Sequence, residues 1–496
     1  MKNKSLWLEN EKDEEVIKLT ENIECDVLII GGGITGISTA YHLSKSKLKI
    51  CLVDRNLVGH GITSKTTAKL NYLQELIPYK ISKYVSKESA IKYVQSQVEA
   101  IKLVEDIVNN EEIKCDFQKV PSYIFTNKET EIIKIQKQRE LLESIGIHVN
   151  EHTNIPIDIH SKYAISVDDT AVFHPLKYLH ELKEKCINSK VEIYEKTKII
   201  SINKSEECYI CKTNNSNTIT TKKIVIASHY PYFLLPFFMP IKTSIEKSYV
   251  SASKIDENKS FTAITSGSPV KSIRYHSNTK NNYMIYLNGS HLTCNKYNET
   301  ENFDKLKKDL KKLQIEPQYI WSNHDIMTYD HLPFIGRIEK NNDSILIGTG
   351  YNTWGMTNGS IAGKIISDII LGSKNKYECL FDPRRSLNLS KIIKFPLILG
   401  SNIKSFVDNK INKVKPWYSE NVTFKRKNGD NIAIYTSEKG TKHVVYNTCP
   451  HMKCSLIFNE EEKTWDCPCH GSRFNIDGKV IAGPSNYDIS YKKKKL

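Results

Sequence analysis

Near the C-terminus, the stretch NTCPHMKCSLIFNEEEKTWDCPCHGSRFNIDGKVIAGPS gathers four of the twelve cysteines and two histidines into two short arms. The first arm carries Cys449 and His451 as C-x-H; the second carries Cys467 and His470 as C-x-x-H, with fifteen residues between His451 and Cys467. Zinc accepts two cysteines and two histidines, but zinc fingers usually group like with like. Here each arm holds one of each. That arrangement suits a two-iron, two-sulfide cluster, with two thiolates on one iron and two imidazoles on the other. Each loop then supplies one ligand to each iron.

These arms resemble a Rieske domain, and the resemblance extends to their neighbours. Cys454 and Cys469 stand where the bc-type members carry a disulfide that ties the two loops, which implies the same link here. On the loop-entropy model such a bond adds roughly 3 kcal/mol for a loop of about fifteen residues. Ser472 matches the serine that hydrogen-bonds a bridging sulfide in high-potential members. Phe474 replaces the tyrosine that usually follows it, so one hydrogen bond to the cluster environment is expected to be missing. Because such bonds raise the potential, a value below that of the bc-type proteins is expected. Gly483-Pro484-Ser485 resembles the proline loop that covers the cluster, and the bc-type membrane anchor is missing.

A second set of chemical residues lies at the other end. CDVLIIGGGITGISTAYHL reads as a buried strand over 25–30, a glycine turn, and a helix over 34–44, with Gly31, Gly33 and Gly36 spaced as G-x-G-x-x-G. The three glycines serve a tight turn, close approach of a pyrophosphate and close helix–strand packing. Phosphate then meets free amides at the helix N-terminus. The next strand, LKICLVD, ends in Asp54, placed to accept from a ribose hydroxyl. NAD and FAD share this signature.

Two further stretches favour FAD. GHGITSKTTAKL (59–70) is a polar loop without helical periodicity, and ILIGTGYNTWGMTNGSIAGKIISDII (345–370) is a strand, a Gly-x-Gly turn ending at Gly350, and a helix starting near Met356. Such a turn aims a helix N-terminus at a negative group, as a flavin's dioxo-pyrimidine edge requires. With HPLKYL, IVIASHYP, LPFIGRI and GYNTWGMTNG in order, the chain resembles the D-amino-acid-oxidase-like FAD oxidoreductases, glycine and sarcosine oxidases among them, in a bacterial form with a C-terminal Rieske domain. The resemblance implies that Thr66, Thr67 and Lys69 lie near the flavin and that Ile199 lends its backbone to the adenine side. By the same likeness Trp354, Gly355, Met356 and Thr357 approach the isoalloxazine. His174, in HPLKYL, reads as turn chemistry rather than as a catalyst.

The elements that must position these residues follow. An α/β fold is expected, with a doubly wound FAD-binding domain (about 20–75, 160–230 and 325–372) and an inserted α+β substrate domain (76–159 and 231–324). Residues 373–417 read as a connector and 418–490 as a small all-β Rieske domain. Apolar residues recur at helical spacing around 88–110, whereas KSYVSASKI and NNYMIYLNGS alternate as antiparallel strands do.

Composition limits the functions. The 496 residues imply more than one domain, and 39% hydrophobic with 26% charged residues suits a globular protein. Net charge is +15, yet only eight of 71 basic residues are arginine and the lysines are spread along the chain, so nucleic-acid binding is not expected. The polar N-terminus lacks a signal peptide's apolar core, and YPYFLLPFFMPI (230–241) is too short and proline-broken to span a bilayer. That run reads as a loop buried between strands, with a dip into a membrane surface as the rival. A cytoplasmic protein without a transmembrane segment is expected, with the eight scattered cysteines reduced. The CYIC pair (Cys208 and Cys211) lies in a strand-like segment and reads as structural.

A flavin takes two electrons as a hydride and a Rieske cluster takes one at a time. The expected function is therefore an FAD-dependent oxidoreductase that dehydrogenates a small amine or amino acid and passes electrons through the cluster to an external one-electron acceptor. Arg274 and Arg337 are the candidates for a substrate carboxylate. The alternative is a redox sensor or electron carrier that uses both groups without small-molecule turnover.

Overall fold

A computed structural model describes residues 1–9, 11, 16–231, 242–278, 281–293, 299–340, 342–386, 420–427 and 429–491. Most of the apolar run 230–241, most of the 373–417 connector and Cys294 lie outside the described residues.

The glycine fingerprint folds as its chemistry requires. Strand β1 (Ile23–Ile30) turns through Gly31 into helix α1 (Ile34–Leu43). Gly31 has φ +112°, and a Cβ there would meet the Ala227 carbonyl oxygen at 2.6 Å; at Gly36 it would meet the Gly31 oxygen at 1.8 Å. Only glycine permits that crossing of helix over turn. β1 lies between β2 (Ile50–Val53) and β10 (Thr218–Ile226), with β7 (Glu192–Tyr194) beyond β2 and β17 (Asn342–Thr349) beyond β10. These five are parallel, and β16 (Phe334–Glu339) closes one edge antiparallel. A hairpin of β8 (Ile199–Ser205) and β9 (Cys208–Thr213) joins β10. Near-continuous apolar burial along β1 and β2 fits a sheet covered on both faces.

A second, nine-stranded sheet is mostly antiparallel. Its order is β15 (Tyr319–Thr328), β11 (Thr243–Ile255), β14 (Asn282–Leu292), β13 (Lys271–Ser277), β12 (Thr262–Thr265), β4 (Gln118–Thr126), β6 (Tyr163–Val172) and β3 (Lys69–Leu70), with β5 (Asn150–His152) pairing β6. Here the structure corrects the expected division. Residues 163–172 and 325–328 pair within this sheet, not within the dinucleotide sheet. Alternation alone does not tell a strand which sheet it joins.

Helices α2 (Ile77–Tyr84), α3 (Lys87–Asn110) and α4 (Glu129–Glu143) pack beside this sheet, and α5 (Pro175–Asn188) packs on α1. α6 (Glu299–Lys312) buries Phe303, Leu306 and Leu310 against one face of the second sheet. α7 (Gly355–Ile370) packs on α1, where a Cβ at Gly363 would lie 2.4 Å from Ser38 Cβ. His174 caps α5, its Nδ1 accepting from the Lys177 N–H at 3.3 Å, the structural role expected of it.

The C-terminal unit holds two small antiparallel sheets. One is β18 (Val422–Lys427), β19 (Asp430–Thr436) and β20 (Lys442–Tyr446); the other is β21 (Ile457–Asn459), β22 (Thr464–Asp466), β23 (Arg473–Asn475) and β24 (Val480–Ala482). Their core includes Leu456, Trp465 and Phe474. Among the described residues no helix is long and apolar enough to cross a membrane.

Candidate cofactor sites

The two cysteine–histidine arms are matching turns. Lys453 N–H bonds the Cys449 carbonyl at 2.9 Å, and Gly471 N–H bonds the Cys467 carbonyl at 3.0 Å. Each turn folds its histidine back beside its cysteine. The His451 and His470 rings meet nearly perpendicular at 5.0 Å, and both Nδ1 atoms are buried without a hydrogen-bond partner. Buried ring nitrogens are normally satisfied, so this pair is shaped for a ligand that accepts two imidazoles. Burial lowers both histidines, His470 to about 4 with His451 contributing, and keeps them in the neutral form that binds metal. The Cys449 thiol lies against that of Cys467, which lowers Cys449 and raises its partner. Two thiols and two orphan imidazole nitrogens in one buried place fit a [2Fe-2S] cluster.

Cys454 and Cys469 are joined in a disulfide with Cα atoms 6.6 Å apart, and their sulfurs and that of Cys467 lie within 4.8 Å of one another. Ser472 Oγ accepts from the Ser485 N–H at 2.9 Å, tying the covering loop to the second arm. Phe474 is fully buried in the small core and supplies no hydroxyl.

The dinucleotide cleft, about 1310 Å³ including its mouth, opens above the β1–α1 turn. Of the expected residues, Gly31, Gly33, Asp54, Thr66, Ile199, Gly355 and Met356 line it. Gly36 lies beneath the turn. Thr67, Lys69, Gly350, Trp354 and Thr357 do not line it. Asp54 accepts from the N–H groups of Gly32 and Asn56, both at 2.7 Å, and burial raises it above the usual carboxylate range. Gly355 begins α7, so a helix N-terminus borders the cleft as the Gly-x-Gly turn implied. An elongated cleft with two helix N-termini and an acidic strand end fits FAD.

The second sheet carries a buried polar layer that includes Lys69, Ser122 and Ser272. Lys69 Nζ donates to Ser272 Oγ and sits 5.2 Å from the Trp354 ring centre. Burial, with Arg274 nearby, lowers it to about 7. Asn71 Nδ2 donates to Ser122 Oγ at 2.5 Å, and Asn71 N–H to Thr357 Oγ1 at 3.3 Å.

Neither carboxylate candidate lines the cleft, and Arg274 keeps a buried Nε without a hydrogen-bond partner. Arg274 is fully buried and donates to the carbonyls of Thr67 at 2.7 Å and Phe173 at 2.9 Å, 4.9 Å above the Trp7 ring. Arg337 is ion-paired with Asp343 and Glu378 and does not line the cleft. A spacing argument cannot see either set of partners.

Sequence reasoning also missed how the iron–sulfur unit sits. In the antiparallel pair β11–β15, Lys247 faces His324 and Glu246 faces Asp325. Successive residues of a strand point to opposite faces. On one face, Lys247 Nζ binds Asp466 Oδ2 at 2.8 Å, Ser322 Oγ accepts from Arg473 Nη1 at 3.2 Å, and Ile245 meets Gly471. On the other, Asn323 and Asp325 line the dinucleotide cleft. Asp325 is pushed up to about 7, by burial and then by Glu246. The interface charges are buried and paired: Arg473 also holds Glu462 Oε2 at 2.7 Å and Asp466 Oδ1 at 3.1 Å. Burial opposes ionisation of Glu462, yet Arg473, Lys247 and Lys65 hold it at about 2. A smaller cavity of about 280 Å³ lies between the units, lined by Tyr230, Ile245, Cys469 and His470 among others. Tyr230 borders both cavities.

Residues 26–369 match the family model for an FAD dependent oxidoreductase, and 409–491 match that for a Rieske [2Fe-2S] domain. YhfW of Bacillus subtilis, described as a Rieske 2Fe-2S iron–sulfur protein, is 32% identical over 480 residues, covering 94% of this chain and 93% of its own. The gamma-glutamylputrescine oxidoreductase of Escherichia coli is 20% identical, over 73% of this chain and 87% of its own. Among solved structures, glycine oxidase from Geobacillus kaustophilus superposes with a TM-score of 0.61 at 15% identity, covering 74% of this chain and all of the enzyme. The chain belongs to the DAO family of FAD-dependent oxidoreductases and carries a Rieske [2Fe-2S] domain at its C-terminal end.

Proposed function

We propose that this oxidoreductase dehydrogenates a small amine or amino acid and delivers the electrons through its Rieske cluster to an external one-electron acceptor. In this reading residues 20–372 form the oxidoreductase, 373–417 connect, and 418–490 form the iron–sulfur unit. Cys449 and Cys467 would hold one iron, and His451 and His470 the other. When bound, FAD supplies hydride acceptance and the cluster supplies one-electron steps.

One observation carries the relay reading. The strand pair β11–β15 borders the dinucleotide cleft with Asn323 and Asp325 and binds the iron–sulfur unit with Lys247 and Ser322. Tyr230 borders the cleft on one side and the cavity beside His470 on the other. The two candidate cofactor sites thus share one strand pair and Tyr230, which supports a short path between them. The polar layer of Lys69, Asn71, Ser122 and Ser272 supports a small polar substrate. Arg337 is ion-paired away from the cleft, whereas Lys69 and Arg274 are the buried basic side chains beside that polar layer. The likeness to amine and amino-acid oxidoreductases supports the substrate class and does not identify the substrate.

An anaerobic screen of amines and amino acids for bleaching of the flavin absorbance tests the reading. At least one compound should bleach it, with slower reduction of the cluster following. If no compound in a broad panel bleaches the flavin while a protein reductant does, the electron-carrier alternative is the better account.

A further inference from the structure

The iron–sulfur unit does more than lean on the oxidoreductase; it contributes wall to the dinucleotide cleft. Ile481, Ala482 and Gly483 line the cleft together with Asp54, Arg55 and Asn56 from the end of β2, and Thr197–Ile199 beside β8. Two side chains at that end reach across. Arg55 Nη2 donates to the Ile481 carbonyl at 2.7 Å, and Lys198 Nζ donates to the Asn486 carbonyl. Gly483 sits against Tyr230, and the adjoining Ser485 is bonded to Ser472 of the second cluster arm.

We infer that the FAD site is completed by the Rieske unit. Asp54 marks the ribose end of a glycine-fingerprint site, so the wall formed by Ile481–Gly483 stands over the adenosine half of the dinucleotide. A ligand that contacts both units binds better when they are docked, and by linkage its binding favours docking to the same degree. FAD retention and Rieske docking are then one equilibrium. The docked face is held chiefly by buried ionic groups: Lys247 has no side-chain exposure, and Asp466 and Arg473 have 3% and 2%. Breaking such a pair on one side is strongly unfavourable, which makes the interface sensitive to a single substitution. This coupling needs FAD in the cleft but no electron transfer, so it stands or falls separately from the relay.

Two measurements on the full-length protein test it. In the wild type, FAD is stripped with concentrated bromide and hydrogen exchange is followed in peptides covering 319–328 and 473–487, with the cluster's visible circular dichroism confirming that it stays loaded. Exchange in both segments should rise several-fold without FAD and fall again when it is restored. In Asp466→Asn, the dissociation constants of FAD and of FMN, which lacks the adenosine half, are compared by flavin fluorescence. FAD should weaken about tenfold while FMN changes by less than twofold. Equal exchange with and without FAD, or equal weakening of FAD and FMN, would overturn the inference.

Discussion

Each of the four proposed ligand side chains has a chemical signature that a substitution should erase. The purified protein should contain about two irons and two acid-labile sulfides per chain, and its reduced form should give a Rieske-type paramagnetic resonance. Cys467→Ser or His470→Ala should abolish that resonance while leaving flavin absorbance in place. One zinc per chain without labile sulfide would contradict the cluster. Asp325 gives a second residue-level test. Its folded pKa of about 7 exceeds its ordinary 3.8 because burial and Glu246 disfavour the charge. The folded protein therefore holds that proton more tightly than the unfolded chain does. The penalty is absent below about pH 4, grows from pH 4 to 7, and is complete above 7. Asp325→Asn should accordingly raise the melting temperature relative to wild type at pH 8 and change it little at pH 4. A gain of the same size at both values would show that ionisation is not the cause.

At the scale of elements, the loop between β2 and β3 is fixed by three large side chains acting on three successive carbonyls. Trp321 Nε1 holds Lys65 O at 2.8 Å, Trp7 Nε1 holds Thr66 O at 2.7 Å, and Arg274 Nη1 holds Thr67 O at 2.7 Å. Lys65 and Thr66 line the cleft, so these bonds set the wall that a flavin would meet. Trp7→Phe keeps an aromatic ring but deletes the N–H donor, leaving a carbonyl unpaired at about 1–3 kcal/mol. FAD should bind several-fold more weakly and its absorption maximum should shift, while cluster content stays constant. A variant with wild-type FAD affinity and spectrum would show that the loop holds its shape without that bond. The paired turns of the iron–sulfur unit behave as one element in the same sense. Mass spectrometry of protein alkylated under denaturing, non-reducing conditions should find Cys454 and Cys469 linked and unlabelled, whereas the buried thiols Cys25 and Cys51 should be alkylated.

For the whole molecule, the interface between units carries buried ion pairs. Lys247→Met should destabilise the protein by about 3 kcal/mol, because Asp466 then loses one of its two buried cations, Lys247 and Arg473. Lys247→Met with Asp466→Leu should cost less than Lys247→Met alone, since no unpaired charge is left buried. Chemical denaturation of the two variants separates these outcomes; additive losses would mean that the pair is not coupled. The proposed electron relay is also tested on the whole chain. A cluster-free variant should still reduce small dyes, which can reach the flavin directly, but should lose most of its rate with a cytochrome acceptor. Undiminished cytochrome reduction without the cluster would make the Rieske unit structural.

What the amino-acid sequence determined by itself is local. Gly31, Gly33, Gly36 and Asp54 declare their chemistry within one strand–helix–strand unit, and the arms Cys449–His451 and Cys467–His470 lie within a single loop-pair of twenty-two residues. In both cases the interacting groups are close along the chain, so spacing alone constrains geometry. His174 was legible for the same reason, as a cap acting three residues ahead. The tertiary structure decided everything that depends on distant partners. Arg274 and Arg337 are good carboxylate binders by type, but Arg337 pairs with Asp343 and Glu378, and Arg274 donates its two Nη atoms to the Thr67 and Phe173 carbonyls. Lys247, Glu462, Asp466 and Arg473 look like ordinary surface charges in the sequence, yet chain folding packs them against one another and buries all but Glu462 fully. Alternation along β11 and β15 signals two faces without saying what either face will meet. The packing of residues 481–483 beside Arg55, more than 420 positions away, also brings the iron–sulfur unit onto the dinucleotide cleft, and contacts of that separation leave no periodic trace in the chain.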